Sequence, residues 1–379
     1  MSEIKNINQF NNSPSGVGGK IIIAGGGTGG HIFPAIAIAN ALKQKDSTIE
    51  ILFVGAKGKM EMEKVPQAGY KIIGIDIAGF NRSSLLKNIS LPFKLIKSFF
   101  QVRRIVKEFK PNAAVGVGGY SSFPVLRFAQ SKNIPTFIHE SNSFAGKANM
   151  ALAKKANKVF VASDGMEKFF PPNKIIITGN PVRKTIAQSK ITRSEAMQFF
   201  KLNENKKTVF VMGGSLGAKT INDAIANSID EFEKNNLQLI WQTGKNNSAA
   251  YITAALKKNN IWVNDFINQM EMAYAAADVV VSRAGAMSVT ELCVAEKPVV
   301  FVPFPFAAED HQTANAMNLV NKRAALIIKD SEAKEKLVAT VIDLANNETL
   351  QQKLKQNISS LAVTNADEKI ANEILNNIQ

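Results

Sequence analysis

Four apolar residues, Ile21-Ile22-Ile23-Ala24, run directly into Gly25-Gly26-Gly27-Thr28-Gly29-Gly30, and an Ala/Ile-rich helical stretch follows. A short continuous apolar run with no polar alternation reads as a strand buried on both faces, and the glycines turn it into a helix. This is the repeating unit of a parallel α/β sheet. It returns in the second half of the chain, where Val209-Phe210-Val211-Met212 enters Gly213-Gly214-Ser215-Leu216-Gly217. Further buried-type strands are expected at 51–54, 113–117, 136–138, 159–162 and 175–178, then at 237–241, 278–282 and 299–302. Alternating β and α elements that restart at the midpoint predict two doubly wound, Rossmann-like α/β domains, with ligands at the carboxyl ends of their strands. The turn-rich Gly179-Asn180-Pro181-Val182-Arg183 marks the crossing. The expected division is a flexible tail over 1–19, domains over 20–182 and 183–360, and a final helical segment over 361–379. In that segment Thr364 with Asp367 three residues on reads as a helix cap, and Ile370, Ile374 and Leu375 form an apolar face expected to pack back on the first domain.

A length of 379 residues suffices for two cores. The single cysteine, Cys293, excludes an intrachain disulfide and fits a reducing compartment. No uncharged run reaches the ~18–20 apolar residues of a spanning helix. Residues 1–19 lack the cationic start and apolar stretch of a secretory signal. The formal net charge of +15 admits nucleic acid, a membrane surface or an anionic substrate as partner. No zinc-finger spacing or RNP-like aromatic motif supports nucleic acid.

Gly25-x-Gly27-x-x-Gly30 satisfies the dinucleotide fingerprint formally, but the second strand ends in Gly55-Ala56-Lys57 without the ribose-binding carboxylate. A nicotinamide or flavin cofactor is therefore disfavoured, and no Walker lysine pattern is present. What remains is backbone N–H groups at helix starts, which attract phosphate. A second such loop, Gly116-Val117-Gly118-Gly119-Tyr120-Ser121-Ser122, lies in the same domain, so several cradles on two lips of a cleft suggest two phosphate-bearing substrates. In the second domain a helix is expected to start near Ser288, with Glu291 in its first turn. Glu291 there suits either a ribose diol or the helix dipole alone. Gln312 and Asn315, three apart, would place two amides on one face, as a sugar's hydroxyls require. No Asp-x-Asp occurs, and His31, His139 and His311 show no metal-ligand spacing, so no metal is expected. His31, at a helix N-terminus that disfavours imidazolium, is the expected general base, with Glu140 its competitor.

Taken in order, several motifs resemble those of the MurG family. They are Gly26-Gly27-Thr28-Gly29-Gly30-His31, His139-Glu140-Ser141-Asn142, Gly179-Asn180-Pro181-Val182-Arg183, Gly213-Gly214-Ser215-x-Gly217-Ala218, Phe266-Ile267-x-x-Met270, Ser282-Arg283-x-Gly285-Ala286 to Glu291, and Asp310-x-Gln312-x-x-Asn315. These enzymes of glycosyltransferase family 28 transfer N-acetylglucosamine from UDP-GlcNAc to lipid I in bacterial peptidoglycan synthesis. The resemblance implies a GT-B fold and an inverting, metal-independent transfer to the 4-hydroxyl of N-acetylmuramyl, with no cofactor. It implies a UDP-GlcNAc site of Thr28, Gly29, Gly30, Asn142, Arg183, Ser215, Ile267, Ala286, Met287, Ser288, Val289, Thr290, Glu291, Gln312 and Asn315. Within it, Ile267 would meet uracil through its backbone, Glu291 the ribose, and Gln312 and Asn315 the sugar. Gly27, Gly118, Gly119 and Tyr120 are expected at the acceptor diphosphate. Rival readings are a diacylglycerol glycosyltransferase, a UDP-GlcNAc 2-epimerase or a non-catalytic nucleotide-binding scaffold.

Between Asp76 and Glu108 there is no acidic residue but seven basic ones, interleaved with apolar residues. On a helix from Phe93, the residues Leu95, Phe99, Val102, Val106 and Phe109 form the expected core stripe. Leu85, Leu86, Ile96 and Phe100, with Lys94 and Lys97, are left over for shallow insertion among anionic headgroups. A lipid-linked acceptor requires such a surface, so the expected place is peripheral, on the cytoplasmic face of the inner membrane, beside other cell-wall and division proteins.

Overall fold

The structure is a computed structural model that describes residues 19–79, 91–246, 248–256 and 258–378. The expected tail up to residue 18, and Leu85 and Leu86, lie outside the described residues. In the first half the strands are β1 (Lys20–Ala24), β2 (Glu50–Ala56), β3 (Lys71–Ile75), β4 (Ala113–Gly116), β5 (Thr136–Glu140), β6 (Lys158–Val161) and β7 (Ile175–Ile177). They form one parallel sheet in the order β3-β2-β1-β4-β5-β6-β7. In the second half β8 (Thr208–Met212), β9 (Gln238–Gln242), β10 (Ile261–Asn264), β11 (Val279–Ser282), β12 (Val299–Phe301) and β13 (Leu326–Ile327) form another, in the order β10-β9-β8-β11-β12-β13.

Both sheets are covered on two faces. Along β1, Ile21 and Ile23 enter one apolar cluster while Ile22 and Ala24 enter another, and along β8 Val209 and Val211 divide from Phe210 and Met212 in the same way. In each sheet the chain reverses direction beside the first strand, so the loops after β1 and β8 open at the switch point of their sheets.

The last helix, Ala366–Asn376, returns to the first sheet and buries Ile370, Ala371 and Ile374 with Ile32 and Ile38. Its N-cap is Asn365 without a side-chain cap bond, so Thr364 does not cap it as expected; Asp367 is buried in the first turn. The helix Leu91–Phe109 buries Ser98, Val102, Ile105 and Val106. Leu95, expected in the core stripe, is exposed; burial along this helix begins at Ser98.

Candidate functional site

The first lip of the cleft is built by two interlocked glycine loops. The Gly26 N–H donates to the Gly118 carbonyl at 3.2 Å, and the Ser122 hydroxyl donates to the carbonyls of Ala24 and Gly118 at 3.0 and 2.7 Å. Helix Gly29–Lys45 follows, and its first internal bonds run from His31 and Ile32 to the Thr28 carbonyl. The Gly29 and Gly30 amides therefore precede the helical ladder, where an anion would find them. Gly27 differs from expectation: its N–H donates to Glu61 Oε2 at 2.8 Å, so it is not an open donor for an acceptor diphosphate. Tyr120 is exposed, with its ring against Gly79.

His31 is half-buried, with Nδ1 3.0 Å from the Gly26 carbonyl and 3.3 Å from Thr28 Oγ1. Its other edge faces Gly118, where a Cβ would lie 2.7 Å from Nε2. Burial lowers its pKa, while Glu140, the Gly26 carbonyl and Glu61 act in the opposite sense and His311 of the second domain adds to the lowering. The imidazole is thus held neutral near pH 7. His139 is fully buried, and burial, then His31, hold it down to about 4. Glu140, the expected competitor as base, is 3% exposed, and its oxygens accept from Asn142 N, Asn142 Nδ2, Gly146 N and Asn149 Nδ2. Four N–H donors saturate that carboxylate, which braces the loop after β5.

On the second lip, the helix runs from Ala286 to Val294, starting two residues before the expected Ser288. Its first internal bond is Val289 N–H to the Gly285 carbonyl, so the amides of Ala286, Met287 and Ser288 stand ahead of the ladder. Glu291 consequently lies in the second turn and points inward. Its Oε1 accepts from Arg183 Nε and Nη2 at 2.9 and 2.8 Å, and its Oε2 from the Tyr274 hydroxyl at 3.1 Å. Burial pushes its pKa up and Arg183 opposes the shift. Arg183 and Glu291 thus form one unit, and in this conformation neither stands free as a separate ligand of the donor.

The loop with Ser215 is clamped to the one after β9: Lys245 N–H donates to the Ser215 carbonyl at 3.2 Å. Gly244 has a φ of +78°, and a Cβ there would run into the Gly217 backbone. Ile267 is buried, and its N–H donates to Gln242 Oε1 at 3.0 Å, which leaves only its carbonyl for a base. The Gln312 carbonyl oxygen accepts from Phe304 N–H at 2.9 Å, leaving its amino group for a sugar.

Asn142, Asn315 and Thr290 differ most from expectation, because they tie the domains together. Asn315 accepts from Ser143 N–H at 2.7 Å and donates to Asn142 Oδ1 and the Ala284 carbonyl at 3.2 and 3.1 Å. Both its amino hydrogens are spent, so it is a strut and not a sugar ligand in this conformation. Thr290 Oγ1 donates to the Ala286 carbonyl and accepts from Asn180 Nδ2 across the seam. Val289 and Thr290 line a seam cavity of about 270 Å³ with Ser141, Asn180, Cys293 and Lys322. Among the described residues, no group of three or more His, Cys, Asp or Glu could hold a metal.

The sequence profile of the glycosyltransferase family 28 N-terminal domain matches residues 21–161, and that of the C-terminal domain matches 208–374. A Phocaeicola vulgatus protein named UDP-N-acetylglucosamine--N-acetylmuramyl-(pentapeptide) pyrophosphoryl-undecaprenol N-acetylglucosamine transferase is 52% identical, covering 94% of this chain and 95% of that protein. The chain belongs to glycosyltransferase family 28. A Cytophaga hutchinsonii relative of the same name is 49% identical over 94% of this chain and 96% of its own. The crystal structure of Acinetobacter baumannii MurG superposes with a TM-score of 0.78 at 29% identity, covering 94% of this chain and 99% of that one. A UDP-GlcNAc 2-epimerase from Neisseria meningitidis shares the fold, with a TM-score of 0.66 at 14% identity over 94% of this chain and all of that one. The two Rossmann-like α/β domains expected from the repeated unit, and the GT-B fold that the resemblance implied, are therefore the observed architecture.

Three groups in this family 28 site escaped the sequence: Glu61, Gln242 and Tyr274. None belongs to a motif, and each arrives from an element next to the loop it serves. On the helix Leu91–Phe109, Phe93, Ile96 and Phe100 are exposed at 74, 57 and 66%, on one side at helical spacing. Lys94, Arg103 and Lys107 are exposed beside them. Lys97 instead pairs with Asp76 at 3.0 Å, and Asp76, also held by Lys57, is pulled to about 2.

Proposed function

We propose that the chain transfers N-acetylglucosamine from UDP-GlcNAc to the 4-hydroxyl of N-acetylmuramyl in lipid I, giving lipid II and UDP with inversion at the anomeric carbon. The observation that carries this reading is the match of both family 28 domains, supported by relatives of that name aligned over nearly the whole chain. His31 Nε2 takes the hydroxyl proton as that oxygen attacks the anomeric carbon and the bond to UDP breaks. A neutral imidazole with Nδ1 engaged by the Gly26 carbonyl suits that role. The departing diphosphate meets the amides ahead of helix Ala286–Val294 and the loop at Ser215, a preorganised positive end that needs no metal.

Since Asn142, Asn315, Thr290 and Arg183–Glu291 are engaged within the protein, donor binding exchanges some of these contacts for contacts to the nucleotide. The exposed Phe93, Ile96 and Phe100 with Lys94, Arg103 and Lys107 dock the first domain on an anionic leaflet. No helix of the described residues is long and apolar enough to cross a membrane, so attachment through this face is peripheral, on the cytoplasmic side where UDP-GlcNAc is available.

The test is incubation with labelled UDP-GlcNAc and a lipid I analogue. A labelled disaccharide lipid and stoichiometric UDP are expected. Release of N-acetylmannosamine, or label on diacylglycerol, would overturn the assignment.

A further inference from the structure

Glu61 is 1% exposed and is the first residue of helix Glu61–Gln67. Its carboxylate accepts from Ala56 N–H at 2.9 Å through Oε1 and from Gly27 N–H at 2.8 Å through Oε2. No cation pairs with it among the described residues. A Cβ on Gly26 would overlap this carboxyl group, so glycine is what lets the charge reach the loop. A buried carboxylate is costly to desolvate, and here two backbone amides rather than a cation hold it.

The Gly27 N–H that Glu61 holds and the Gly26 carbonyl that His31 meets belong to the same peptide unit. In a trans peptide these two groups point in opposite directions. Fixing the N–H on Glu61 therefore aims the carbonyl at His31 Nδ1, 3.0 Å away. A carbonyl only accepts, so Nδ1 carries the proton and Nε2 keeps the lone pair; the Thr28 hydroxyl, farther at 3.3 Å, cannot impose the other tautomer while that bond is made. Hydrogen bonds in series polarise one another, and the negative charge of Glu61 makes the Gly26 oxygen a stronger acceptor.

We propose that Glu61 is a positioning residue for the transfer, acting through the Gly26–Gly27 peptide to fix the tautomer of His31 and strengthen the hydrogen bond at its Nδ1. The inference rests on the reading of His31 as general base. Other groups act on His31 too: Glu140 at the end of β5 raises its pKa and His311 from across the cleft lowers it, while His31 in turn lowers that of the buried His139. Glu61 differs from these in reaching His31 through an aligned peptide as well as through space.

The experiment uses the full chain with ¹⁵N-labelled histidine, whose three imidazoles are assigned with single His→Gln variants. In the wild type, His31 should show a protonated Nδ1; a protonated Nε2 in the neutral form would overturn the proposal whether or not any variant folds. In Glu61→Gln, whose amide must turn an N–H₂ toward one backbone N–H, the His31 titration should fall by about half a unit or more, with mixed tautomers. The same variant should lose about 10-fold in kcat with UDP-GlcNAc KM within about twofold, and Glu61→Asp should recover part of the loss. A folded Glu61→Gln protein with an unchanged His31 titration would also overturn it. If instead His31→Ala keeps full kcat while Glu61→Gln shifts the titration, the base assignment fails and the coupling of Glu61 to His31 stands.

Discussion

The loops after β1 and β8 start from nearly the same sequence, an apolar strand entering Gly-Gly, yet they end in different chemistry. The first is filled from within: a buried carboxylate takes one of its amides, a second glycine loop locks against it, and a histidine stands at its edge. Among the described residues no carboxylate hydrogen-bonds to the second, which is clamped by backbone to the loop after β9, while the neighbouring helix at Ala286 offers unladdered amides. A strand–glycine–helix unit thus specifies only a place where backbone and ligand can approach. Whether the place positions a base or receives an anion depends on what the next elements deliver to it.

This difference makes the first lip sensitive to protons and the second to backbone shape. The largest expected effect is on stability. His139 titrates near 4 in the folded chain against 6.5 ordinarily, so between those values the unfolded chain binds more protons and stability falls as pH is lowered. The loss should total about 3 kcal/mol by pH 4, and His139→Gln should flatten the thermal midpoint against pH over that window. An unchanged slope would remove His139 as the source. Next comes Gly244→Ala, which sets a Cβ against the Gly217 backbone at positive φ; calorimetry should show UDP affinity reduced about 30-fold. The first-lip counterpart, Gly118→Ala, is likewise at positive φ (+92°), but its Cβ would press on the His31 ring 2.7 Å away, so kcat should fall about 10-fold with UDP affinity unchanged. If the two variants exchanged phenotypes, the division between the lips would be wrong. Smallest is the docking face: Phe93→Asp with Phe100→Asp should weaken binding to anionic vesicles about fivefold or more and spare UDP binding. Vesicle binding that stays intact would show that this face is not the membrane contact.

Much of the fold was legible because central parallel strands are continuous apolar runs, and the eight further strands expected from them lie within a residue or two of those observed. The three that escaped, β3, β10 and β13, are partly buried edges: Gly74 interrupts β3, and β10 and β13 are only four and two residues long. The site was legible as a set of loops and much less as a set of contacts. Asn142 and Asn315 have the chemistry of sugar ligands, but an amide that suits a hydroxyl suits a backbone group equally, and the seam between the domains claims both. Glu61 shows the converse. The end of β2 carries no carboxylate in sequence, yet one reaches it from the following helix, a placement that only the packing of helix against loop reveals.

The central claim is that the first lip supplies the base while the second holds the donor. It is tested most directly by comparing His31→Ala with the wild type for turnover of UDP-GlcNAc onto a lipid I analogue, with UDP binding measured on the same samples. The account predicts a loss of about 10²-fold or more in kcat with UDP affinity and UDP-GlcNAc KM nearly unchanged. An unchanged kcat, or a loss that appears wholly as weaker UDP binding, would contradict it.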